Sequence, residues 1–141
     1  MRHNQINTMS NLTNVYTPAG GSETTEVYRR FREEPDRVDY TCVDSTAGLR
    51  NSISFMRVGP KRNASFLGVH RMKIRLVVDE MAAKADGSES VQPCTVEMSF
   101  MVPAGSTEAQ RLQIAARTSG LTAGTLRTVV DDFINHQLLP A

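Results

Sequence analysis

The chain has 141 residues, 40 % of them apolar, 6 % aromatic and none Trp, which suits one domain with a mainly aliphatic core. No apolar run approaches the roughly 18 residues of a membrane-spanning helix, and Met1–Tyr16 lacks the apolar stretch of a signal peptide, so a soluble protein without a membrane partner is expected. Net charge is +1; Cys42, Cys94, His3, His70 and His136 are too scattered for a metal site, and the absence of GxSxG, Walker, HExxH and GxGxxG patterns leaves no expected catalytic residue or cofactor.

In chain order, Gln5–Met9 and Asn14–Thr17 read as two short strands around Ser10–Thr13, an N-terminal hairpin within residues 1–20. Pro18-Ala19-Gly20-Gly21-Ser22 breaks the pattern. Glu23–Glu34 is dense in charge, with Val27, Tyr28 and Phe31 at helical spacing; it is either a short helix or a strand edge. Arg37–Val43 alternates, Val38, Tyr40 and Cys42 opposing Asp39 and Thr41, as a half-buried strand does. Ser45–Leu49 is a turn. Ser52–Val58 is a strand with Ile53 and Phe55 on one face and Ser52, Ser54 and Met56 on the other.

Gly59–Asn63 is a loop, and the clearest period of two follows it. Met72, Ile74, Leu76 and Val78 face one way and Arg71, Lys73 and Arg75 the other, a spacing no helix produces. Asp79–Pro93 is small and polar and reads as a long loop, the kind that serves a partner contact. Cys94–Val102 alternates again, with Val96, Met98, Phe100 and Val102 opposed to Thr95, Glu97 and Ser99. Ser106 or Thr107 then caps a helix over 106–119, with Glu108 at its positive end and Gly120 suited to its C′ position. Thr122–Gly124 opens a second helix with Leu126, Val129, Val130, Phe133 and Ile134 on one face.

The expected fold class is α+β: an N-terminal hairpin and antiparallel β-sheet followed by two C-terminal helices, in one domain over 1–141 with its main sheet at 37–102 and its helix pair at 106–139. The first helix is narrow and rich in Ala, too small to cover an apolar sheet face. A partner chain supplying a second helix pair would complete the cover, so an obligate homodimer is expected.

The charge distribution singles out the other sheet face. Between Ser45 and Val78 there is no acidic residue, whereas Arg50, Arg57, Lys61, Arg62, Arg71, Lys73 and Arg75 are basic. That run carries +7 and the rest of the chain −6, a one-sided field suited to a polyanion. The candidate RNA-binding residues are therefore Ser52, Ser54, Met56, Arg71, Lys73, Arg75, Thr95, Glu97 and Ser99: cations for phosphates, hydroxyls and one carboxylate for base edges. A merely solvated sheet face is the alternative. Solvation or a subunit contact accounts for Asp131-Asp132, and His70, beside the basic strand, reads as a spectator with no partner acid nearby.

The order of these elements resembles the coat proteins of single-stranded RNA bacteriophages, the leviviruses. Thr13-Asn14-Val15-Tyr16-Thr17-Pro18 is similar to a strand of their hairpin. Gly59-Pro60-Lys61-Arg62-Asn63 before the basic strand, Ser106-Thr107-Glu108-Ala109 after Val-Pro-Ala-Gly, and the terminal helix Leu126–Leu139 are similar in the same order. The resemblance implies an interlocked dimer with a ten-stranded sheet and four outer helices, assembled in the host bacterial cytoplasm into an icosahedral virion shell around genomic RNA. It implies that the inner face grips an RNA hairpin and represses translation, with pocket hydroxyls falling on Ser54 and Met56, partner positions on Arg71 and Lys73, and further polar contacts on Thr95 and Glu97. Met56 departs from the small polar residue of that pattern. The loop at 79–93 matches the family's inter-dimer contact, and Cys94 beside it stands alone, so no disulfide-stapled shell is expected. A dimeric RNA-binding regulator that builds no shell is the competing reading; an enzyme with an unrecognised site is a third.

Overall fold

Alternation of side chains decides most of this structure. The computed structural model describes residues 11–45 and 48–136. The expected strand Gln5–Met9 and the chain after His136 lie outside the described residues. The chain divides into two compact units, Met1–Pro60 with His70–Met101, and Lys61–Val69 with Val102–Ala141.

Six strands follow one another: β1 (Asn11–Tyr16), β2 (Thr24–Glu34), β3 (Arg37–Cys42), β4 (Asn51–Val58), β5 (Val69–Ala83) and β6 (Glu89–Pro103). They form one sheet in the order β1-β2-β3-β4-β5-β6. The ambiguous segment Glu23–Glu34 is thus strand, not helix. Its helical spacing comes from a β-bulge between Arg30 and Arg32, where the register of β2 against β3 shifts. Phe31 is the extra residue, and everything after it changes face.

The register fixes what each face carries. Leu12 lies opposite Tyr28, Tyr28 opposite Cys42, Tyr40 opposite Ile53, and Ile53 opposite Leu76. This is the apolar face. Its core is Tyr28, Tyr40 and Cys42, with Leu12, Val38 and Ile53 packed around them. The rings of Tyr40 and Phe55 meet edge to face with centroids 6.0 Å apart, a favourable aromatic geometry.

Tyr28 is only 1 % exposed, and its hydroxyl needs a partner there. It donates to Asn51 Oδ1 at 2.9 Å, and Asn51 Nδ2 donates in turn to Glu26 Oε2. Burial, with the nearby Glu26 charge adding to it, pushes the Tyr28 phenol from its ordinary 10.0 up to about 12. The folded state therefore holds the proton that the unfolded state releases first. Stability is full below pH 10 and is expected to fall by roughly 2–3 kcal/mol as pH rises to about 12. Tyr28→Phe should cost about 1 kcal/mol at neutral pH by removing the hydrogen bond and should remove this tyrosine's share of the alkaline loss. Urea midpoints of both proteins at neutral and alkaline pH check the two effects together.

Strands β5 and β6 correct one expectation. Asp79–Pro93 is not a long loop: β5 runs on to Ala83 and β6 starts at Glu89. Lys84 N–H donates to the Ser88 carbonyl at 2.7 Å and Gly87 N–H to the Lys84 carbonyl at 3.0 Å. Gly87 has φ +84°, the left-handed position that ends a three-residue hairpin turn. Asp86 accepts from the Ser88 hydroxyl at 2.6 Å and from its N–H at 2.9 Å; these bonds hold the Asp86 carboxyl below its ordinary range. Small polar residues resemble a loop, but here they flank a strong turn, and pairing propagates from it.

The second unit holds both helices, α1 (Glu108–Thr122) and α2 (Arg127–His136). Thr107 caps α1 as expected: Gln110 N–H donates to its hydroxyl at 3.2 Å, while Thr107 N–H donates to the Gln110 side chain at 2.9 Å. This reciprocal arrangement is a capping box. Gly120 is not at the C′ position, because α1 continues through it to Thr122. A Cβ on Gly124 would lie 2.8 Å from Gly120 Cα and from its carbonyl oxygen, so the turn between the helices closes only with glycine at 124. No residue of either helix is buried.

Candidate nucleic-acid interface

The polar face of the sheet is built by the same register. Thr41 lies opposite Ser52, and Ser52 opposite Val77. Asp39 lies opposite Ser54, and Ser54 opposite Arg75. Arg37 lies opposite Met56, Met56 opposite Lys73, and Val58 opposite Arg71. Because the period of a strand is two, these residues share one face. Ser52, Ser54, Met56, Arg71, Lys73 and Arg75 are therefore brought together as the sequence leads one to expect.

Strand β6 joins them through its hairpin. Lys84 is bonded to Ser88 near the turn, and at the far end Ala104 N–H donates to the Gly68 carbonyl at 2.9 Å. One step back for each step forward places Arg75 opposite Glu97 and Lys73 opposite Ser99. The side chains agree: Glu97 lies 3.5 Å from Arg75 Nε and 3.7 Å from Lys73 Nζ. Thr95 and Ser99, two residues either side of Glu97, point the same way. A one-residue slip, which would turn Thr95, Glu97 and Ser99 to the apolar face, is not present.

The electrostatics of the face favour an anion. One carboxylate, Glu97, serves two cations that remain 42 % and 46 % exposed. Exposed pairs of this kind contribute little, about 0–1 kcal/mol, and are readily exchanged for another anion. Among the described residues Arg71 has no ion-pair partner. Met56, Arg71, Lys73, Ser99 and Met101 line a cavity of about 390 Å³, within the size range of small-ligand clefts.

Sequence reasoning missed the part of this face that lies on β2 and β3. Arg29 lies opposite Thr41 and Arg32 opposite Asp39, so both belong to it. Asp39 is buried, its side chain 4 % exposed, with Arg37 Nε at 3.0 Å from both carboxylate oxygens and Arg32 Nε at 3.9 Å. The alternation of Arg37–Val43 already set Asp39 apart from the apolar positions. What could not be seen was the bulge that carries Arg32 to the same side. Among the described residues no group of three or more His, Cys, Asp or Glu is placed to hold a metal ion.

No protein-family model and no curated protein sequence matches the chain. Solved structures do. The virus-like particle of bacteriophage ESE058 is similar over 94 % of this chain and 98 % of that one, with a TM-score of 0.72 and 10 % identity. That of bacteriophage AVE019 covers 92 % and 97 % at a TM-score of 0.70 and 11 % identity. That of Beihai levi-like virus 32 covers 82 % and 88 % at 0.68 and 15 % identity. The fold, a six-stranded antiparallel sheet followed by two helices, is the one these particles are built from.

Proposed function

We propose that this chain, folded as the levi-like phage particle proteins are, is itself a coat protein: a structural, non-enzymatic subunit that dimerises, assembles into an icosahedral shell and packages single-stranded RNA against its basic sheet face. The observation that carries this reading is the fold, shared over nearly the whole length of both chains with subunits of virus-like particles. Its location is then the virion.

Two features of the single chain support self-association. The outer edge of β6, a strand of 15 residues, has no neighbour in the sheet order among the described residues. A long open edge of this kind is a template for another strand, and a second copy of β6 extends the sheet. Both helices are also without any buried residue, although Leu112, Phe133 and Ile134 are apolar and exposed. Dimerisation gives these side chains a place out of water.

RNA enters on the polar face of the sheet. Arg71, Lys73 and Arg75 hold phosphates; Ser52, Ser54, Thr95, Glu97 and Ser99 meet bases and sugars; Met56 packs on an unstacked base. A hairpin bound there in the unassembled dimer is the route to translational repression. The hairpin tip around Lys84–Ser88, not a long loop, makes the contact between dimers.

Recombinant expression followed by electron microscopy and ultraviolet absorbance tests the reading. The expected result is closed particles tens of nanometres wide that carry nucleic acid. A stable dimer of the 15.6 kDa chain with no particles would replace the shell by a non-assembling RNA-binding regulator. Particles free of RNA would remove the packaging role.

A further inference from the structure

A buried carboxylate in the middle of a face meant for RNA is a contradiction by charge alone. Asp39 is in that position. It sits on the central part of the polar face, between Arg32 on β2 and Ser54 on β4, with its side chain 4 % exposed. A carboxylate so buried is costly unless it is paired, and an acid there repels phosphate.

The pairing geometry resolves the contradiction. Arg37 approaches Asp39 with Nε alone, at 3.0 Å from each oxygen. A guanidinium has five N–H donors in a fixed fork. With Nε–H held by the carboxylate, the terminal N–H groups of Arg37 remain for a second acceptor, and its side chain is 39 % exposed. Arg32 is held by Glu34, its Nε donating to Glu34 Oε1 at 2.9 Å and its Nη2 donating to the same oxygen, while Asp39 lies 3.9 Å from its Nε, beyond hydrogen-bond reach. Arg32 reaches this face only because the bulge at Phe31 shifts the register of β2. Arg37 lies in one cross-strand row with Met56 and Lys73. Two strand spacings, about 10 Å, separate the backbones of Arg37 and Lys73. An RNA backbone that crosses the sheet from Lys73 over Met56 comes next to Arg37.

We propose that Asp39 is a positioning residue that orders Arg37 as a phosphate-binding fork, extending the RNA-binding surface from β4–β6 onto β3. This rests on the sheet face being the RNA-binding face. The extension is a backbone contact: it raises affinity for any single strand and reads no base.

The test turns on sign. Asp39→Asn keeps the shape of the side chain and makes the face more positive by one charge. If Asp39 were only a repelling charge held by a structural ion pair, RNA would bind more tightly. If it positions Arg37, RNA binds more weakly. The probe is a fluorescein-labelled, mixed-sequence single-stranded RNA of about 20 nucleotides, titrated by fluorescence anisotropy with the full-length unassembled chain between about 50 and 200 mM salt. Asp39→Asn is expected to weaken binding at least about threefold and to reduce the slope of log affinity against log salt by about 0.7 for each phosphate no longer neutralised. Arg37→Lys keeps the charge but not the fork and is expected to weaken binding in the same direction; because Arg37 is partly exposed, this variant decides the matter if Asp39→Asn does not fold. Unchanged or tighter binding by a folded Asp39→Asn, or unchanged affinity and slope for Arg37→Lys, overturns the proposal. The variant Lys73→Glu with Arg75→Glu separates the two layers. If it lowers affinity while the Asp39 and Arg37 variants do not, the extension alone fails; if it too leaves binding unchanged, the sheet-face reading fails with it.

Discussion

Reversing Lys73 and Arg75 together to glutamate is expected to empty the particles of RNA and to lower affinity for a single strand on the order of a hundredfold at physiological salt. Two phosphate contacts disappear and two repulsions replace them, on the strand at the centre of the basic face. The fold should survive, because both side chains are nearly half exposed and surface pairs of this sort contribute at most about 1 kcal/mol. One local effect needs a control. Glu97 pairs with both cations, and the double reversal gathers three carboxylates in their place. Adding Glu97→Lys restores opposite charges across the hairpin while leaving one cation among positions 73, 75 and 97, where the native chain has two. The triple variant should therefore regain native melting but only part of the RNA. Particles of unchanged nucleic-acid absorbance in the double variant would remove this face from RNA binding.

The second large effect concerns assembly. Leu112→Asp combined with Phe133→Asp should abolish particles, with sedimentation showing only small species. In the single chain Leu112 is 62 % exposed and Phe133 48 %, and substitutions at such sites usually change stability within about 0.5 kcal/mol. If an assembly buries them, each apolar side chain removed forfeits roughly 1.5–3 kcal/mol, and a carboxylate in its place adds a desolvation cost. The same pair of substitutions is therefore nearly silent for the isolated fold and severe for the associated one. Intact particles would mean that these helix faces meet solvent after all.

How far the sequence discloses this molecule depends on which signal each element carries. Strands β3, β4 and β5 are legible because one of their faces is apolar and the period of two runs unbroken, as in Met72, Ile74, Leu76 and Val78 against Arg71, Lys73 and Arg75. The cap at Thr107 is legible because capping is local chemistry. Strand β2 is not, since the extra residue at Phe31 breaks the period inside a charged segment and imitates helical spacing. The arm beyond Val78 is hidden by composition: Ala82-Ala83-Lys84-Ala85 has the residues of a loop, and only the Asp86-Gly87 turn shows that two strands meet there. Gly120 has the right type and place for a helix end, but α1 runs on through it to Thr122, and the glycine that a close approach requires is Gly124. The polar face of the sheet divides along the same line. Its β3–β6 part follows from alternation within each strand, whereas Arg32 joins it through the bulge in β2, which alternation within the strand does not disclose.

The sheet order has a consequence for how the chain reaches this state. Each strand pairs with the strand next to it in sequence, so no pairing waits for a distant segment, and folding speed rises as contacts become more local. The β5–β6 hairpin, closed by a three-residue turn, is a ready nucleus, and such hairpins form in about 1–10 μs. The apolar helices follow the sheet in chain order. During synthesis the helices, with their exposed apolar side chains, are therefore completed after the strands. The exposed apolar side chains of the helices thus leave the ribosome only when the strands of the sheet are already there to pair.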